Sequence, residues 1–348
     1  MEIKYVGIDV HQSTCLIVVL DSNGQTISET VIATQAEMLR AFISGLGGAV
    51  HVAFEVGTQS AWLYEVLKPV ANSITVCDVH GEKRRGSKTD RIDARWLARK
   101  LRSGELKAVY QGDRNIRRFR DLAHAYLSTV RDMTRVMNRI KAIFRSWGIP
   151  CSGAGVYYKR NRENWIKLLP IAESQLRVGL SYCQLDLLRE QKKEAKKIFL
   201  KEARRYPVDR IFRKIPGFGP IRTALTISVI GTPHRFRRNR QLWCYSGLAI
   251  KLDTSAEHEV IAGQIWKKRK RTNTRGLTPD YNRILKFVYK GAAQQAIRKE
   301  PFRTIYRKKI EKGIRPEMAL LTIARRLATI SLVLWKRGEA FNVAKLLS

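Results

Sequence analysis

The sequence predicts an α/β domain followed by a mainly helical chain, and three observations lead to this prediction. Short apolar segments, separated by turn and helix signals, fill the N-terminal part. From about residue 116 onwards, apolar residues instead recur every three or four positions, as they do on helices. The 348 residues also exceed what one small core needs and suit two or three domains. We therefore expect three segments, 1–112, 113–207 and 208–348.

The N-terminal segment begins with three predicted strands. Apolar residues run from Ile3 to Leu20 around a polar break at residues 9–13, and a strong turn signal at residues 21–24 precedes a third strand over residues 25–32. Helices and strands then alternate: helix 36–46, strand 50–54, helix 59–70, strand 74–77 and helix 89–101. A meander followed by such alternation predicts a mixed sheet covered by helices.

The middle segment has the pattern of long amphipathic helices. An apolar stripe with spacings of three and four runs from Ile116 to Trp147 and stops at residues 148–150, which read Gly-Ile-Pro. A second long helix is predicted from Leu180 to Tyr206. The two helices predict a hairpin or a coiled coil, which either packs within one subunit or joins two subunits.

A proline–glycine turn opens the third segment. Residues 215–220 read IPGFGP, and a helix is predicted directly after them, from Ile221 to Ile230. Such a turn, with Gly217 and Gly219, leaves backbone N–H groups at the start of a helix, where they suit a DNA phosphate. Turns of this kind are common, so this turn indicates nucleic acid only together with the charge of the chain. A further helical part is expected between residues 281 and 347.

The charge of the chain points to a polyanionic partner. There are 66 Lys and Arg residues against 30 Asp and Glu residues, which gives a net charge of +36. Self-repulsion of this size destabilises a compact protein unless a polyanion neutralises it. Nucleic acid fits, because binding releases its condensed counterions. DNA is therefore the expected partner, and a basic structural or ribosome-associated protein is the alternative on charge alone.

Other features predict a cytoplasmic protein that is associated with the nucleoid. The N-terminus lacks the basic and apolar regions of a signal peptide, and no uninterrupted apolar run approaches the length of a membrane span. The five cysteines form no CxxC pair, so we expect reduced thiols. The six histidines are scattered, which argues against a zinc site.

Four carboxylates follow predicted strands or share one helix face. Asp9 closes the first strand, Glu55 closes the strand at 50–54, and Asp90 and Asp93 lie three residues apart on one predicted helix. If these elements converge at one sheet edge, the carboxylates repel each other unless a divalent cation lies among them. The pattern therefore predicts Mg²⁺ or Mn²⁺ as the cofactor. The alternative is structural: a helix cap at Asp90, an ion pair of Asp93 with a neighbouring arginine, and a solvated Glu55.

Basic residues are candidates for contacts with nucleic acid. Arg91 and Arg95 either offset charge beside the acidic residues, bind phosphate or lie on a solvated helix face. Contacts to backbone phosphates are expected at the following residues of the third segment: Arg235, Arg237, Arg238, Arg240, Lys267, Lys268 and Arg269. Trp243 and Trp266 flank this region, and core packing is favoured for both over stacking on bases.

The order of these motifs resembles a known family. GIDV with Asp9, FEVGTQS with Glu55, and the KTDRIDA segment resemble the DEDD motif of the IS110 insertion-sequence transposases, which are relatives of the Piv and MooV recombinases. The resemblance continues in chain order through the helical middle, IPGFGP, the segment 242–250 and the C-terminal run 319–334. It therefore covers nearly the whole chain.

This resemblance implies both a fold and an activity. The N-terminal domain is expected to have a RuvC-like, ribonuclease-H-type fold that holds Mg²⁺ on the four carboxylates, and a helical coiled coil is expected to link it to a mainly helical C-terminal transposase domain. Members of the family carry a serine nucleophile that joins covalently to DNA. They associate as homodimers or homotetramers, and some bind a structured non-coding guide RNA. The resemblance thus implies a DNA transposase or site-specific recombinase.

The serine region is where this sequence departs from the family pattern. Counted from the Gly-Leu pair at 247–248, Ser255 falls at the expected place, but Ala and Glu replace the usual glycines at 256 and 257. Thr254 and Ser246 are the other candidate hydroxyls.

Three further functions stay open at this point. A RuvC-like, structure-specific endonuclease would use the same carboxylates and metal with water as the nucleophile. A non-catalytic nucleic-acid scaffold would not need the carboxylates, and a decayed transposase would fold without recombining. The sequence contains no GxxxxGK[ST] loop, which argues against an ATP-driven motor.

Overall fold

A computed structural model of the chain describes residues 2–79, 89–253, 258–267 and 273–343. The chain divides into two compact units, Met1–Asp113 and Arg114–Ser348. The division of the chain into three segments stays a prediction.

The N-terminal unit is built on a five-stranded sheet. Its strands are β1 (Ile3–Val10), β2 (Thr14–Leu20), β3 (Thr26–Ala33), β4 (Ala49–Glu55) and β5 (Ser73–Cys77), in the order β3-β2-β1-β4-β5. The first three strands form an antiparallel meander, whereas β4 is parallel to both β1 and β5. The predicted meander and mixed sheet are therefore confirmed.

Two helices cover one face of this sheet. α1 (Ala36–Gly45) and α2 (Ser60–Leu67) pack in an apolar core that includes Val6 and Ile8 of β1. Successive side chains of a strand point to opposite faces of the sheet. Asp9, which follows Ile8, therefore points to the other face.

A third helix, α3 (Asp90–Arg102), covers that other face. Ala94 and Ala98 are fully buried there, and Gly7 of β1 lies beneath them. A Cβ atom on Gly7 would come within 2.0 Å of the Ala94 carbonyl oxygen, so glycine is what allows the helix to approach the strand this closely. The predicted alternation of helices and strands is confirmed through this helix.

The C-terminal unit is mainly helical. Its described helices are α4 (Arg114–Ser146), α5 (Arg162–Lys167), α6 (Ala172–Ala203), α7 (Val208–Phe212), α8 (Pro220–Ile230), α9 (Asn239–Tyr245), α10 (Arg283–Ala296), α11 (Phe302–Glu311) and α12 (Pro316–Arg337). Two antiparallel strand pairs lie between α9 and α10: β6 (Ile250–Asp253) with β9 (Asn273–Leu277), and β7 (His258–Ile261) with β8 (Gln264–Lys267). The sequence pattern did not predict these strands, because each has only four or five residues.

The long helices α4 and α6 pack side by side within one chain, which is one of the two arrangements predicted for them. α6 begins at Ala172 rather than at the predicted Leu180, and Gly179 lies inside it without ending it. Glycine in a helix interior costs only about 1 kcal/mol relative to alanine, so tertiary packing can retain it. A coiled coil between subunits stays a prediction.

This helical pair contributes to two separate apolar cores. At one end, Phe119 and Phe199 join a large core in which residues 223–230 of α8 are all buried. At the other end, Phe144 and Tyr182 belong to a smaller core built from the pair and the residues between its helices. The far end of the pair therefore folds around a core of its own.

α12 is long and apolar enough to cross a membrane by length and composition alone. The charged pair Arg325 and Arg326 interrupts it, which is why no uninterrupted apolar run marks it in the sequence. Ala324, Leu327 and Ala328 of this helix are fully buried in the large core of the C-terminal unit. α12 therefore acts as a core helix in this structure.

Candidate active site

Two carboxylates lie side by side at one edge of the N-terminal sheet. Asp9 is near the end of β1, and its side chain is 22% exposed. In the parallel register of β1 and β4, Ile8 lies opposite Phe54, so the residues that follow them, Asp9 and Glu55, are neighbours. Phe54 belongs to the core under α1 and α2. Glu55 therefore points to the same face as Asp9, toward α3.

The start of α3 supplies the other two carboxylates. Thr89 is the N-cap of this helix, and its Oγ1 accepts a hydrogen bond from the Ile92 N–H at 3.3 Å. Asp90 is the first helical residue and is exposed, so the helix-cap interpretation of Asp90 is wrong. Asp93, one turn further on, is buried with only 7% of its surface exposed.

These carboxylates act on one another electrostatically. Burial raises the pKa of Asp9 above its ordinary value, His11 opposes that change, and the charges of Asp90, Asp93 and Glu55 raise the pKa further. The structure thus brings together the four carboxylates singled out in the sequence. A protonated Asp9 or a bound cation would relieve the repulsion among them.

His11 joins the same cluster. Its Nε2 atom lies 3.4 Å from Asp9 Oδ2 and 3.0 Å from Asp90 Oδ2. One ligand atom from each of these three residues lies within 4.8 Å of the others, which is compact enough to hold a metal ion. The sequence pattern alone did not single out His11, although it stands two positions after Asp9. The period of two in a strand, extended past Val10, could have found it.

A cleft of about 200 Å³ opens beside Asp9 and Glu55. The turn after β4, residues 56–60, lines the rest of it. Ser60 Oγ donates a hydrogen bond to the Gly57 carbonyl at 2.8 Å, which holds this turn. The cleft gives a small polar group access to the two carboxylates.

Arg91 and Arg95 contact a different acidic residue. Glu29 of β3 forms ion pairs with both, and Arg95 Nη2 lies 2.8 Å from Glu29 Oε2. The Glu29 side chain is only 15% exposed, so these contacts fasten α3 to the meander. A role of the two arginines in binding nucleic acid stays a prediction.

The glycines of the turn at residues 215–220 have structural roles in the C-terminal unit. Gly217 has a φ of +87°, and a Cβ atom there would lie 2.2 Å from the Ala292 carbonyl oxygen of α10. Gly219 is the N-cap of α8, and Arg222 Nη1 donates to the Gly217 carbonyl at 3.0 Å. Close packing alone therefore accounts for Gly217, and phosphate binding at this turn stays a prediction.

Arg235 is also engaged within the protein. Its Nη1 donates to the carbonyls of Val229 and Ile230 at 3.0 and 2.8 Å, at the end of α8, and its guanidinium lies 4.9 Å from the centre of the Tyr245 ring. The other predicted arginines of this region are exposed: Arg237, Arg238 and Arg240. Among the predicted contacts whose side chains the structure describes in this segment, these three are the ones placed to reach a DNA backbone without rearrangement.

The candidate nucleophiles are only partly described. Ser255 and Thr254 lie outside the described residues, as do Lys268 and Arg269, and Lys267 is the last residue of β8. Ser246 is completely buried, and its hydroxyl has no hydrogen-bond partner among the residues that the structure describes. Ser246 therefore cannot attack DNA in this conformation.

The two tryptophans of this region differ in their surroundings. Trp243 packs on α12, where its Nε1 donates to the Arg325 carbonyl at 3.2 Å and also reaches Thr329 Oγ1 at 3.2 Å. Trp266 of β8 is 55% exposed. Core packing is thus confirmed for Trp243 and wrong for Trp266, because β7 and β8 pair mainly with each other.

Comparison with protein families gives two matches in chain order. A transposase model named for the DEDD motif and IS110 matches residues 6–148. A second model, described as the transposase IS116/IS110/IS902 family, matches residues 209–306. No curated protein matches the chain. The first match spans all four clustered carboxylates, and the second spans the proline–glycine turn and the position of Ser255.

Proposed function

The chain belongs to the IS110 family of transposases, and from this premise we propose how it acts on DNA. A transposase cleaves and joins DNA, so the chain is an enzyme of DNA transposition and recombination. We assign its N-terminal unit to the RuvC-like form of the ribonuclease H fold, which the strand order β3-β2-β1-β4-β5 supports. A coiled-coil segment over residues 113–207 and a transposase domain over 208–348 complete the proposed architecture.

A DEDD-type transposase implies a divalent metal, and the residues at the sheet edge fit one. Carboxylate oxygens are hard ligands that suit Mg²⁺ or Mn²⁺. Burial and the three neighbouring carboxylates raise the pKa of Asp9, which supports a cation at this site. In this proposal Asp9, Glu55, Asp90 and Asp93 hold the metal. When bound, the metal neutralises negative charge on the scissile phosphate.

The convergence of these carboxylates around Asp9 is the observation that carries the proposal. Glu55 and Asp9 are fixed by neighbouring strands, and Asp93 is buried on a helix that Gly7 allows to approach. A site built on regular elements holds its geometry more strictly than a site on loops. The adjoining cleft at residues 56–60 leaves room for the phosphate.

We propose Ser255 as the nucleophile. Its hydroxyl oxygen attacks the phosphorus atom, the bond to the departing deoxyribose oxygen breaks, and the serine becomes esterified to DNA. The serine proton passes to a base, and a second strand's hydroxyl later reverses the attack. Because the covalent link retains the energy of the phosphodiester, joining needs no ATP.

The alternative is a RuvC-like, structure-specific endonuclease in which water attacks. One observation favours it: Ala and Glu stand at 256 and 257, where the family pattern has glycines after the serine. The carboxylate site would be unchanged in that case. The two functions therefore differ in the product, which is either a protein–DNA adduct or free cleaved ends.

The proposed partners are DNA and a structured non-coding guide RNA. The net charge of +36 suits a protein that binds more than one nucleic-acid segment. A protein with these partners would act in the cytoplasm, at the nucleoid.

We also propose a homodimer or homotetramer. On α6, three leucines and a cysteine are exposed and recur at spacings of four, three and four, as in a coiled-coil seam: Leu176, Leu180, Cys183 and Leu187. All three leucines are at least 60% exposed. A second copy of this helix would bury the stripe.

A denaturing gel tests the proposed mechanism. The protein is incubated with labelled element-end DNA, Mg²⁺ and any RNA encoded beside the element. We expect a slowly migrating protein–DNA adduct with the unmodified protein, and none with Ser255→Ala or Asp9→Asn. Thr254→Ala serves as the matched control and should still form the adduct.

The two mechanisms give different gels. Cleaved DNA without an adduct, in equal amounts from the unmodified protein and Ser255→Ala, would overturn the serine mechanism and support hydrolysis. An adduct that persists in Asp9→Asn would instead mean that the carboxylate site takes no part in the reaction.

A further inference from the structure

A cleft of about 610 Å³ lies between α9, α11 and α12 of the C-terminal unit. Binding sites for small organic molecules span roughly 300–1,000 Å³, so this cleft is large enough for a nucleotide. Trp243 and Ile305 provide its apolar lining, and five cationic side chains provide its charge. None of its residues belongs to the carboxylate site, and among them only Trp243 was considered from the sequence as a contact to nucleic acid.

The cations come from two helices. Lys308, Lys309 and Lys312 lie on or just after α11, and Arg325 and Arg326 lie on α12. No carboxylate is among the described residues that line the cleft. Lysines near the end of α11 suit its helix dipole, but that does not account for the arginines. Like charges gathered without compensation predict an anionic ligand.

Arg325 provides an independent sign of a missing partner. Its Nε donates to the Leu248 carbonyl at 2.6 Å, which fixes the plane of the guanidinium. Its Nη2 is buried and makes no hydrogen bond to any part of the chain that the structure describes. Burial lowers the pKa of Arg325, because the cation is partly removed from water. A phosphate oxygen would accept from this nitrogen.

Trp243 presents an aromatic ring on which a base can stack. The hydrogen bonds of its Nε1 to the Arg325 carbonyl and to Thr329 fix the indole against α12. A fixed aromatic ring beside cations is the arrangement by which proteins bind single-stranded nucleic acid, because every base has a face that can stack. α12 thus fixes the ring of Trp243 and carries the guanidinium of Arg325, whose Nη2 has no partner among the described residues.

We infer that this cleft binds one unpaired nucleotide of a nucleic-acid strand, with its phosphate on the lysines and Arg325 and its base against Trp243. The inference rests on the proposed function, because it requires that the protein binds nucleic acid. It adds a specific binding site for one nucleotide of that nucleic acid. The shared chemistry is a phosphodiester with a free base, which either DNA or guide RNA could supply.

Salt-dependent binding tests the phosphate contacts. Full-length protein is titrated into fluorescein-labelled oligothymidylate or oligouridylate of about 16 nucleotides, and anisotropy is followed at several salt concentrations. For Lys308→Gln/Lys312→Gln we expect affinity to fall about tenfold and the slope of log K against log salt to fall by about 1.4. The matched control Lys290→Gln/Lys299→Gln removes two exposed lysines outside the cleft and should leave the slope unchanged.

Abasic oligonucleotides test the stacking contact. The unmodified protein should bind an abasic strand about tenfold more weakly than the parent strand. Trp243→Leu, if its melting temperature shows that it folds, should bind both strands equally. A larger slope change with oligothymidylate assigns the site to DNA, and a larger change with oligouridylate assigns it to RNA.

Failure of this inference is separable from failure of the proposed function. Equal slopes for the cleft variant and its lysine control would overturn the cleft site while leaving nucleic-acid binding intact. No binding of either oligonucleotide by the unmodified protein would instead count against the proposed function itself.

Discussion

Carboxylates in the two units have opposite electrostatic surroundings. In the N-terminal unit, burial and three neighbouring carboxylates raise the pKa of Asp9, and His11 only partly opposes them. In the C-terminal unit, Arg162 donates hydrogen bonds of 2.7 Å to both oxygens of Asp186 and lowers its pKa to about 2. The charged form of an aspartate is thus destabilised in the N-terminal unit and stabilised by hydrogen bonds in the C-terminal unit.

This difference separates the proposed metal site from a structural group of ion pairs. Asp186 also lies 3.3 Å from Arg189 and 3.5 Å from Lys159, and together these contacts close the small core at the far end of the helical pair. Asp9 lies mainly among groups of its own charge. Groups kept in mutual repulsion lower stability, and selection retains them where a ligand needs them.

The largest effect is expected from Asp9→Asn. DNA cleavage should fall about 10³-fold or more, because a ligand of the proposed metal is lost. The free energy of unfolding in EDTA should stay the same or rise by up to about 1 kcal/mol, because repulsion is relieved. Cleavage assays and urea denaturation measure the two effects, and Glu37→Gln, an exposed residue of α1, is the control. A clear loss of stability in EDTA would mean that Asp9 is structural, like Asp186.

The next largest effect is expected from Gly7→Ala. The new Cβ atom would lie 2.0 Å from a backbone oxygen of α3, and only movement of the helix can relieve such an overlap. The unfolding free energy should fall by about 3 kcal/mol. Because α3 carries Asp90 and Asp93, the apparent Mg²⁺ affinity should fall as well. Urea denaturation and a Mg²⁺ titration of cleavage measure these effects.

Gly217→Ala is the companion change in the other unit. Its Cβ atom would lie 2.2 Å from the Ala292 carbonyl, so a similar loss of stability is expected. The Mg²⁺ dependence of whatever cleavage remains should not change. If Gly217→Ala shifted the Mg²⁺ dependence as much as Gly7→Ala, the contrast between the two units would be wrong.

The sheet and its carboxylate edge could be predicted from the sequence because strands have a simple period. The apolar run up to Ile8 fixes which face Asp9 occupies, and the same alternation places Glu55. The spacing of Asp90 and Asp93 likewise places both on one side of α3. Period and spacing therefore bring these residues together without knowledge of any contact.

The C-terminal unit was less predictable because its residues depend on long-range packing. The sequence predicts that Arg235 contacts DNA, yet its side chain donates to the carbonyls at the end of α8. The turn that contains Gly217 was predicted to bind phosphate. The close approach of the Ala292 carbonyl, far along the chain, already requires a glycine there. Local sequence does not reveal a partner that the fold brings from elsewhere.

A smaller effect is expected from Asp186→Asn. Because the folded pKa of about 2 lies below the ordinary pKa of 3.8, Asp186 stabilises the fold above about pH 4, and this contribution is lost as the pH falls through 2. The side chain is 27% exposed, so solvent screening reduces the loss at pH 7 to roughly 1 kcal/mol. Urea denaturation from pH 7 to pH 2 should show the two proteins converging. Asp132→Asn, which removes an exposed ion pair with Arg135, should cost almost nothing at any pH.

The smallest effect, and the finest test of the comparison, is expected from Thr89→Ala. Loss of the cap should cost about 0.5–1 kcal/mol and loosen the first turn of α3. That turn carries Asp90, whose Oδ2 lies 3.0 Å from His11 Nε2. The Mg²⁺ concentration for half-maximal cleavage should therefore rise about two- to threefold. Thr89→Ser retains the hydroxyl and should restore both values. If the Mg²⁺ dependence of Thr89→Ala were unchanged, the start of α3 would contribute stability but not metal binding. The proposed metal site would then be limited to the ends of β1 and β4 and to Asp93.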